Sequence, residues 1–196
     1  LYQVRQEARK PKKQERPRFA SVQETSAPAQ ANAPVMHIPG PREPHLWPQR
    51  EALKLALQYP QVAGSYFDGI PEDAYSNEAY RTVRRAIATL GGVTAGAAMP
   101  EVEWLAAVAG EMPDLMARNF VSELAVEPIK LGESGNPATD LEAYADSVLS
   151  RLQEARVGDQ VAQLKAQLGR MRPSDDEQAY NSLFADLVAL EQALSL

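Results

Sequence analysis

From Leu46 onward, apolar residues recur every three or four positions, and no segment sustains the strict alternation that a half-buried strand requires. The pattern predicts an all-α fold. A first helix starts at Pro48, where the missing N–H costs nothing and φ is already helical, and turns Leu53, Ala56 and Leu57 inward before Pro60 ends it. Trp47, just upstream, is placed to staple its start. Pro60 opens a short helix toward Tyr66, Gly69 and Pro71 break the chain, and Glu72 to Tyr75 make a further turn. The next helix, Asn77 to Leu90, carries Ala79, Tyr80, Val83, Ile87 and Leu90 on one stripe, and Gly91 and Gly92 stop it. Pro100 then starts a helix with Val102, Leu105, Ala106 and Ala109 facing inward. Pro113 and Asp114 start another, carrying Leu115, Met116, Phe120 and Leu124. Five or six helices with short connections predict a compact bundle over residues 45–138.

Residues 139–196 have a different rhythm. Thr139 and Glu142 form a capping-box pattern ahead of one long helix, whose apolar positions from Leu141 to Met171 run to Arg172 with Gly158 and Gly169 as weak points. Such a helix spans about 50 Å. Ser174 and Glu177 repeat the pattern directly after Pro173, so a last helix with Tyr180, Leu183, Phe184, Leu187, Leu190 and Leu194 must double back into an αα-hairpin. Two helices alone bury little of their apolar surface, and a partner protein is the simplest cover for the remainder.

Composition changes the picture at the other end. Seven of the 15 prolines fall within residues 11–44, where large apolar residues are scattered, so this stretch is predicted to be a disordered linker. It is also basic. The first 44 residues hold eight Lys/Arg against four Asp/Glu, and the remainder holds twelve against twenty-two. An acidic folded part is a poor ligand for duplex DNA, so nucleic-acid contact is expected at most weakly, through Arg9, Lys10, Lys12, Lys13, Arg16 and Arg18 of the linker. Leu1 in place of methionine predicts a chain that begins inside a larger reading frame.

Candidate chemistry is sparse. There is no cysteine, which excludes thiolate metal sites and cysteine nucleophiles, and the two histidines, His37 and His45, lie in or beside the linker. No stretch approaches a membrane span. Gly91, Gly92 and Gly96 lack the Gly-Lys-Ser/Thr of a phosphate loop, and they read as a helix cap and a turn. Asp175, Asp176 and Glu177 are consecutive at a helix N-terminus, where dipole stabilisation and capping account for them. No metal, cofactor or catalytic centre is predicted for this chain.

Two stretches carry a family resemblance. LWPQREALKLALQYPQVAGSYFDGIPEDAYSNEAYRTVRRAIATLGG, residues 46–92, resembles the start of the C-terminal domain of bacterial DnaG-type primases in their actinobacterial form, and DDEQAYNSLFADLVALEQALSL, residues 175–196, resembles its last helix. Residues 1–10 then correspond to the tail of the polymerase core. The resemblance implies a helical bundle with a hairpin that docks on the N-terminal collar of the hexameric DnaB-type replicative helicase, in the cytoplasm at the replication fork. Zinc and magnesium would belong to family domains outside this chain. It further implies helicase-contact candidates at Arg170, Arg172, Asp175, Tyr180, Phe184 and Leu187. Arg50 and Lys54 become candidates for the acidic tail of single-stranded-DNA-binding protein. Competing readings are the collar domain of a replicative helicase, whose linker would follow rather than precede the hairpin, and a nucleic-acid-binding accessory module.

Overall fold

A computed structural model describes residues 37–132, 136–172 and 176–194 of the chain. Among these residues the secondary structure is helical throughout, in agreement with the periodicity. The basic stretch before residue 37 and the predicted cap at Ser174 lie outside the described residues.

A 3-10 turn, Pro44–Leu46, leads into α1, Trp47–Gln58, with Pro48 in its first turn as expected. Helix α1 is the axis of the bundle. Ala52, Leu53, Leu55, Ala56 and Leu57 are all fully buried, and so, nearly, are the polar residues Gln49, Arg50, Glu51 and Lys54. Around it pack α2 (Pro60–Gly69, kinked at Gly64), α3 (Glu78–Thr89), α5 (Glu101–Gly110), α6 (Leu115–Val126) and the first part of α7 (Pro137–Leu168). A 3-10 turn, Glu72–Ala74, joins α2 to α3, whose first turn is capped by the Asn77 side chain accepting from the Ala79 amide.

Where α3 stops, the predicted glycine turn is instead a five-residue helix, α4 (Gly92–Gly96). The Asp68 carboxylate makes it possible by accepting from the amides of Val93 and Thr94 and from the Thr94 hydroxyl, at 2.8, 3.2 and 2.9 Å. These orphan donors at a helix start are satisfied by a residue more than twenty positions away, which local pattern does not reveal.

The inward face of α5 differs from the expectation. Trp104 and Val108 are fully buried, while Val102 is 78% exposed, Ala106 is also exposed, and Leu105 and Ala109 are half-buried. In α6 Phe120 and Leu124 are buried as expected, joined by Ala117 and Val121, but Leu115 and Met116 face solvent. Trp104 decides the orientation of α5: its indole N–H donates to the Ala56 carbonyl of α1 at 3.1 Å, and a buried indole needs such a partner. Once that face is fixed, Val102 and Ala106 must point away.

Helix α7 starts earlier than the capping-box pattern suggested. Asn136 is the cap, its side chain accepting from the Ala138 amide, and Pro137 takes the first helical position, so Thr139 lies inside the helix. The helix ends at Leu168 rather than Arg172 and, with 32 residues, measures about 48 Å. Its first half buries Ala145, Val148, Leu149 and Leu152 against the bundle, and its second half turns Val161, Leu164 and Leu168 toward α8 (Glu177–Leu194). At 3.6 residues per turn the two buried stripes are rotated by roughly 140° about the helix axis. Helix α8 therefore lies on a different side of α7 from the bundle. The Arg156 guanidinium, donating to both oxygens of Asp73 at 2.7 and 3.2 Å, anchors α7 to the Glu72–Ala74 turn just before the stripe changes sides.

The close approach of α4 to Trp104 gives a prediction. A Cβ placed on Gly96 would sit 2.6 Å from the indole ring, nearer than real contacts allow. Gly96→Ala is expected to destabilise the chain by about 1–3 kcal/mol, although alanine favours helix, and the loss should appear in urea unfolding as a lower midpoint.

Candidate functional site

The αα-hairpin forms because α7 and α8 each carry an apolar stripe, and pairing buries one against the other. Asp176 caps α8, its carboxylate accepting from the Ala179 amide at 2.9 Å. Leu187, 7% exposed, and Val161 close the seam, flanked by half-buried Leu164, Leu168, Leu183 and Leu190. Lys165 and Glu191 bridge the helices at 2.6 Å.

The leucine stripe does not absorb all of α8. Phe184, 52% exposed, and Val188, also exposed, follow one another at i and i+4 on one flank. By the same periodicity the other flank carries Asp186, Ala189 and Leu190, which with Gln160, Gln163, Leu164 and Gln167 of α7 line a groove of about 420 Å³. One side of the hairpin is thus apolar and open, and the other is a shallow channel rich in amides.

The structure separates the candidate contact residues. Phe184 is open, Tyr180 is half-buried on the same helix, and Arg170 and Arg172 are exposed just past the end of α7. Leu187 is enclosed by the seam: it holds α8 in place and presents nothing outward. Asp175 lies outside the described residues.

Arg50 and Lys54 are not an open basic pair. Each is 2% exposed, because α1 is surrounded on all sides, and each meets carboxylates inside the protein. Arg50 donates to Glu123 and Glu127 of α6 and its C-cap, and its guanidinium lies 5.7 Å from the centre of the Phe120 ring. Lys54 donates to Glu51 at 2.8 Å, to the Pro128 carbonyl at 3.0 Å and to Glu127 at 3.4 Å. Glu51 in turn accepts from the Tyr144 hydroxyl of α7 at 2.6 Å. Gln58 adds two donations to the Leu124 and Glu127 carbonyls, at 2.7 and 2.8 Å. The polar residues of α1 thereby terminate α6, whose last carbonyls have no partner of their own, and clasp α7. Two cations against three carboxylates leave this cluster slightly negative, which gives an acidic peptide little reason to bind at it. The sequence offered one hint of this role: Arg50, Glu51, Lys54 and Gln58 share one side of α1, and Leu57 and Leu55 border that side on either edge, so apolar packing reaches both its margins.

Electrostatics follow the geometry. Burial works to raise the Glu127 carboxyl, but the Arg50 hydrogen bond and the charges of Lys54 and Arg50 outweigh it and hold the group below the ordinary glutamate range. The Tyr144 hydroxyl is pushed up by burial and by donating to Glu51. Among the described residues no group of three or more His, Asp or Glu side chains is arranged to hold a metal ion, and no helix is long and apolar enough to cross a membrane.

Removing Arg50 strands two carboxylates at the end of α6, so Arg50→Met should cost roughly 2–4 kcal/mol, toward the lower end because Glu123 is half-exposed. The pH dependence has a definite sign. The folded pKa of Glu127 lies below its unfolded value of about 4.3, so its contribution is complete above that pH and is lost as pH falls through the folded value. The stability gap between the native chain and Glu127→Gln, measured by denaturant unfolding, should be widest at neutral pH and narrow as pH falls below the unfolded value of about 4.3.

Comparison with known proteins agrees with this architecture. Residues 49–183 match the family described as "DNA primase DnaG DnaB-binding". The chain is 39% identical over 196 residues to the DNA primase of Mycobacterium leprae, covering 97% of this chain and 29% of that protein. It is 42% identical over 153 residues to the DNA primase of Mycobacterium tuberculosis H37Rv, covering 78% and 23%. The helicase binding domain of primase from Mycobacterium tuberculosis, a solved structure, superposes with a TM-score of 0.57 at 41% identity, covering 76% of this chain and 89% of that one. The chain thus spans less than a third of the curated primases it matches, and it does so on the primase side rather than as a helicase collar. With the matched segment running from α1, the axis of the bundle, into the hairpin, the chain belongs to the DNA primase DnaG DnaB-binding family.

Proposed function

We propose that this chain docks a primase on the N-terminal collar of the hexameric DnaB-type replicative helicase, with the α7–α8 hairpin making the contact. Family membership names the partner, and the open flank of α8 carries the assignment to the hairpin. Phe184 and Val188 are large apolar side chains left uncovered on a two-helix element that stands on a different side of α7 from the bundle. An exposed aromatic beside a rigid leucine seam is the type of anchor on which binding energy concentrates. Arg170 and Arg172 add unburied positive charge just past α7, suited to steering toward an acidic surface and to salt-dependent association. The contact itself involves no chemistry: primer synthesis would be the task of a polymerase core elsewhere in the primase. The basic, proline-rich residues 11–44 would serve as its tether, holding that core at high local concentration beside the helicase.

Titration of the cognate helicase against labelled chain tests this. Phe184→Ala should weaken binding about tenfold or more while the melting temperature stays within a few degrees of the native value, because the side chain is half-exposed. Leu187→Ala should do the reverse, costing about 2–4 kcal/mol of hairpin stability as a seam residue. A folded chain truncated after Arg172 that still binds the helicase as tightly as the intact chain would move the contact to the bundle.

A further inference from the structure

The hairpin reaches the bundle through one helix. Among the described residues α8 packs on α7 and on little else, so the hairpin points wherever α7 points as it leaves the bundle. The bundle-facing stripe of α7 runs through the buried Ala145, Val148, Leu149 and Leu152 to Arg156. The next positions on that face, Asp159 and Gln163, are exposed, so the bundle ends at Arg156. An ion pair holds α7 at that edge. The Arg156 guanidinium donates from Nε and Nη2 to the two oxygens of Asp73, at 2.7 and 3.2 Å. Asp73 stands on a firm base, because the Glu72–Ala74 turn closes with the Ala74 and Tyr75 amides donating to the Pro71 and Glu72 carbonyls, and both of those side chains are buried.

The partners are 21% and 59% exposed, and a pair so open to water contributes little to global stability. Two parallel hydrogen bonds from one planar guanidinium do fix direction. Direction matters most at this point of the chain, because Gly158 follows two residues later. Neither conformation nor crowding calls for glycine there: its φ is not positive, and a Cβ on it would meet no atom within 4 Å. After proline, glycine is the weakest helix former, so α7 bends most easily just beyond its last bundle contact. A bend of roughly 20° at Gly158 would carry Leu168, about 15 Å along the axis, sideways by about 5 Å. Helix α8 and Phe184 would move with it.

We infer that Asp73 and Arg156 are positioning residues for the hairpin: their paired hydrogen bonds at the edge of the bundle hold the direction of α7 just before its weakest turn, at Gly158. Neither residue has to touch a partner to act. The consequence for binding rests on the hairpin being the helicase contact, whereas the effect on direction does not. Chains whose hairpin points elsewhere are not competent to dock, and apparent affinity falls with the competent fraction.

The test uses the full chain. It has no cysteine, so Ala88→Cys on α3 and Ala185→Cys on α8, both at exposed positions, allow two spin labels that report one distance between bundle and hairpin. The native chain should give a single narrow distribution. Asp73→Asn and Arg156→Met should each broaden it or move its mean by about 5 Å, with melting within a few degrees of native. Adding Gly158→Ala to Asp73→Asn should narrow the distribution again, because alanine stiffens the turn and has room. In helicase titration Asp73→Asn should weaken binding about threefold or more, and Gly158→Ala should recover most of the loss, which the loss of a touching residue would not show. A distribution unchanged in both single variants, with or without lower melting, overturns the inference. So does broadening with native affinity in Asp73→Asn while Phe184→Ala weakens binding. Broadening with native affinity in Asp73→Asn and Phe184→Ala alike sustains the hold of the pair on direction and sinks the hairpin as the helicase contact instead.

Discussion

The whole arrangement depends on one costly choice, which is to run a charged helix through the middle of the bundle. Helix α1 carries Arg50, Glu51 and Lys54 into an environment where each is almost completely shielded from water. Charges buried without partners would cost more than the folded state of a small domain can bear. Two of the helices that surround α1, and the segment between them, therefore also have an electrostatic duty. The end of α6 supplies Glu123 and Glu127, α7 supplies the Tyr144 hydroxyl, and the segment after α6 supplies the Pro128 carbonyl. The same side of α1 solves a second problem, since the carbonyls of Leu124 and the C-cap Glu127 at the end of α6 find a donor in Gln58. A buried ion network of this kind adds less stability than well-packed leucines would, but it admits very few alternative registers. Its contribution here is to fix where α6 ends and where α7 begins.

That fixed geometry carries through to the hairpin. Tyr144 stands in the early part of α7, with its ring edge-on to Trp47 at 6.4 Å, and Arg151 lies over the same indole about two turns further on. Arg156 then reaches Asp73, and its charge holds that carboxyl below the ordinary aspartate range, mainly through their hydrogen bond. Three successive contacts seat the first half of α7 on the bundle. Beyond Arg156 the buried stripe changes sides and α8 becomes the partner. A helix whose two halves serve two different cores has no single amphipathic face, yet it transmits the orientation of one core to the other as a rigid rod.

Much of this was legible along the chain, and the failures have physical causes. Prolines at helix starts, Asn77 and Asp114 at caps, and the leucine periodicity of the hairpin all specify structure locally, so they could be read directly. The seam residue Leu187 and the flanking Phe184 were placed on the right helix, but the angle that buries one and exposes the other depends on α7. The faces of α5 and α6 were misjudged for a related reason. Val102 and Ala106 are as apolar as the buried residues of α5, so periodicity alone offers that helix two equivalent faces. The tie is broken by Trp104, whose indole N–H must find a carbonyl and finds that of Ala56 across the bundle. Arg50 and Lys54 show the limit most clearly. Spaced four apart on a helix, they look like a basic patch until the neighbouring helices close around them.

The division of labour between polar and apolar surface also explains why two uncovered faces can coexist on so small a protein. The bundle does not need α5's outer stripe or α8's open flank for its own stability, because Trp104 and Leu187 already anchor those helices on their other sides. Helices held by a single strong contact face are free to present the opposite one. The two faces differ in electrostatic setting: the α8 flank belongs to a hairpin with exposed arginines just past the end of α7, and Val102 on the outer face of α5 stands between Glu101 and Glu103. Where apolar area is open, the sign of the surrounding charge selects what can approach it.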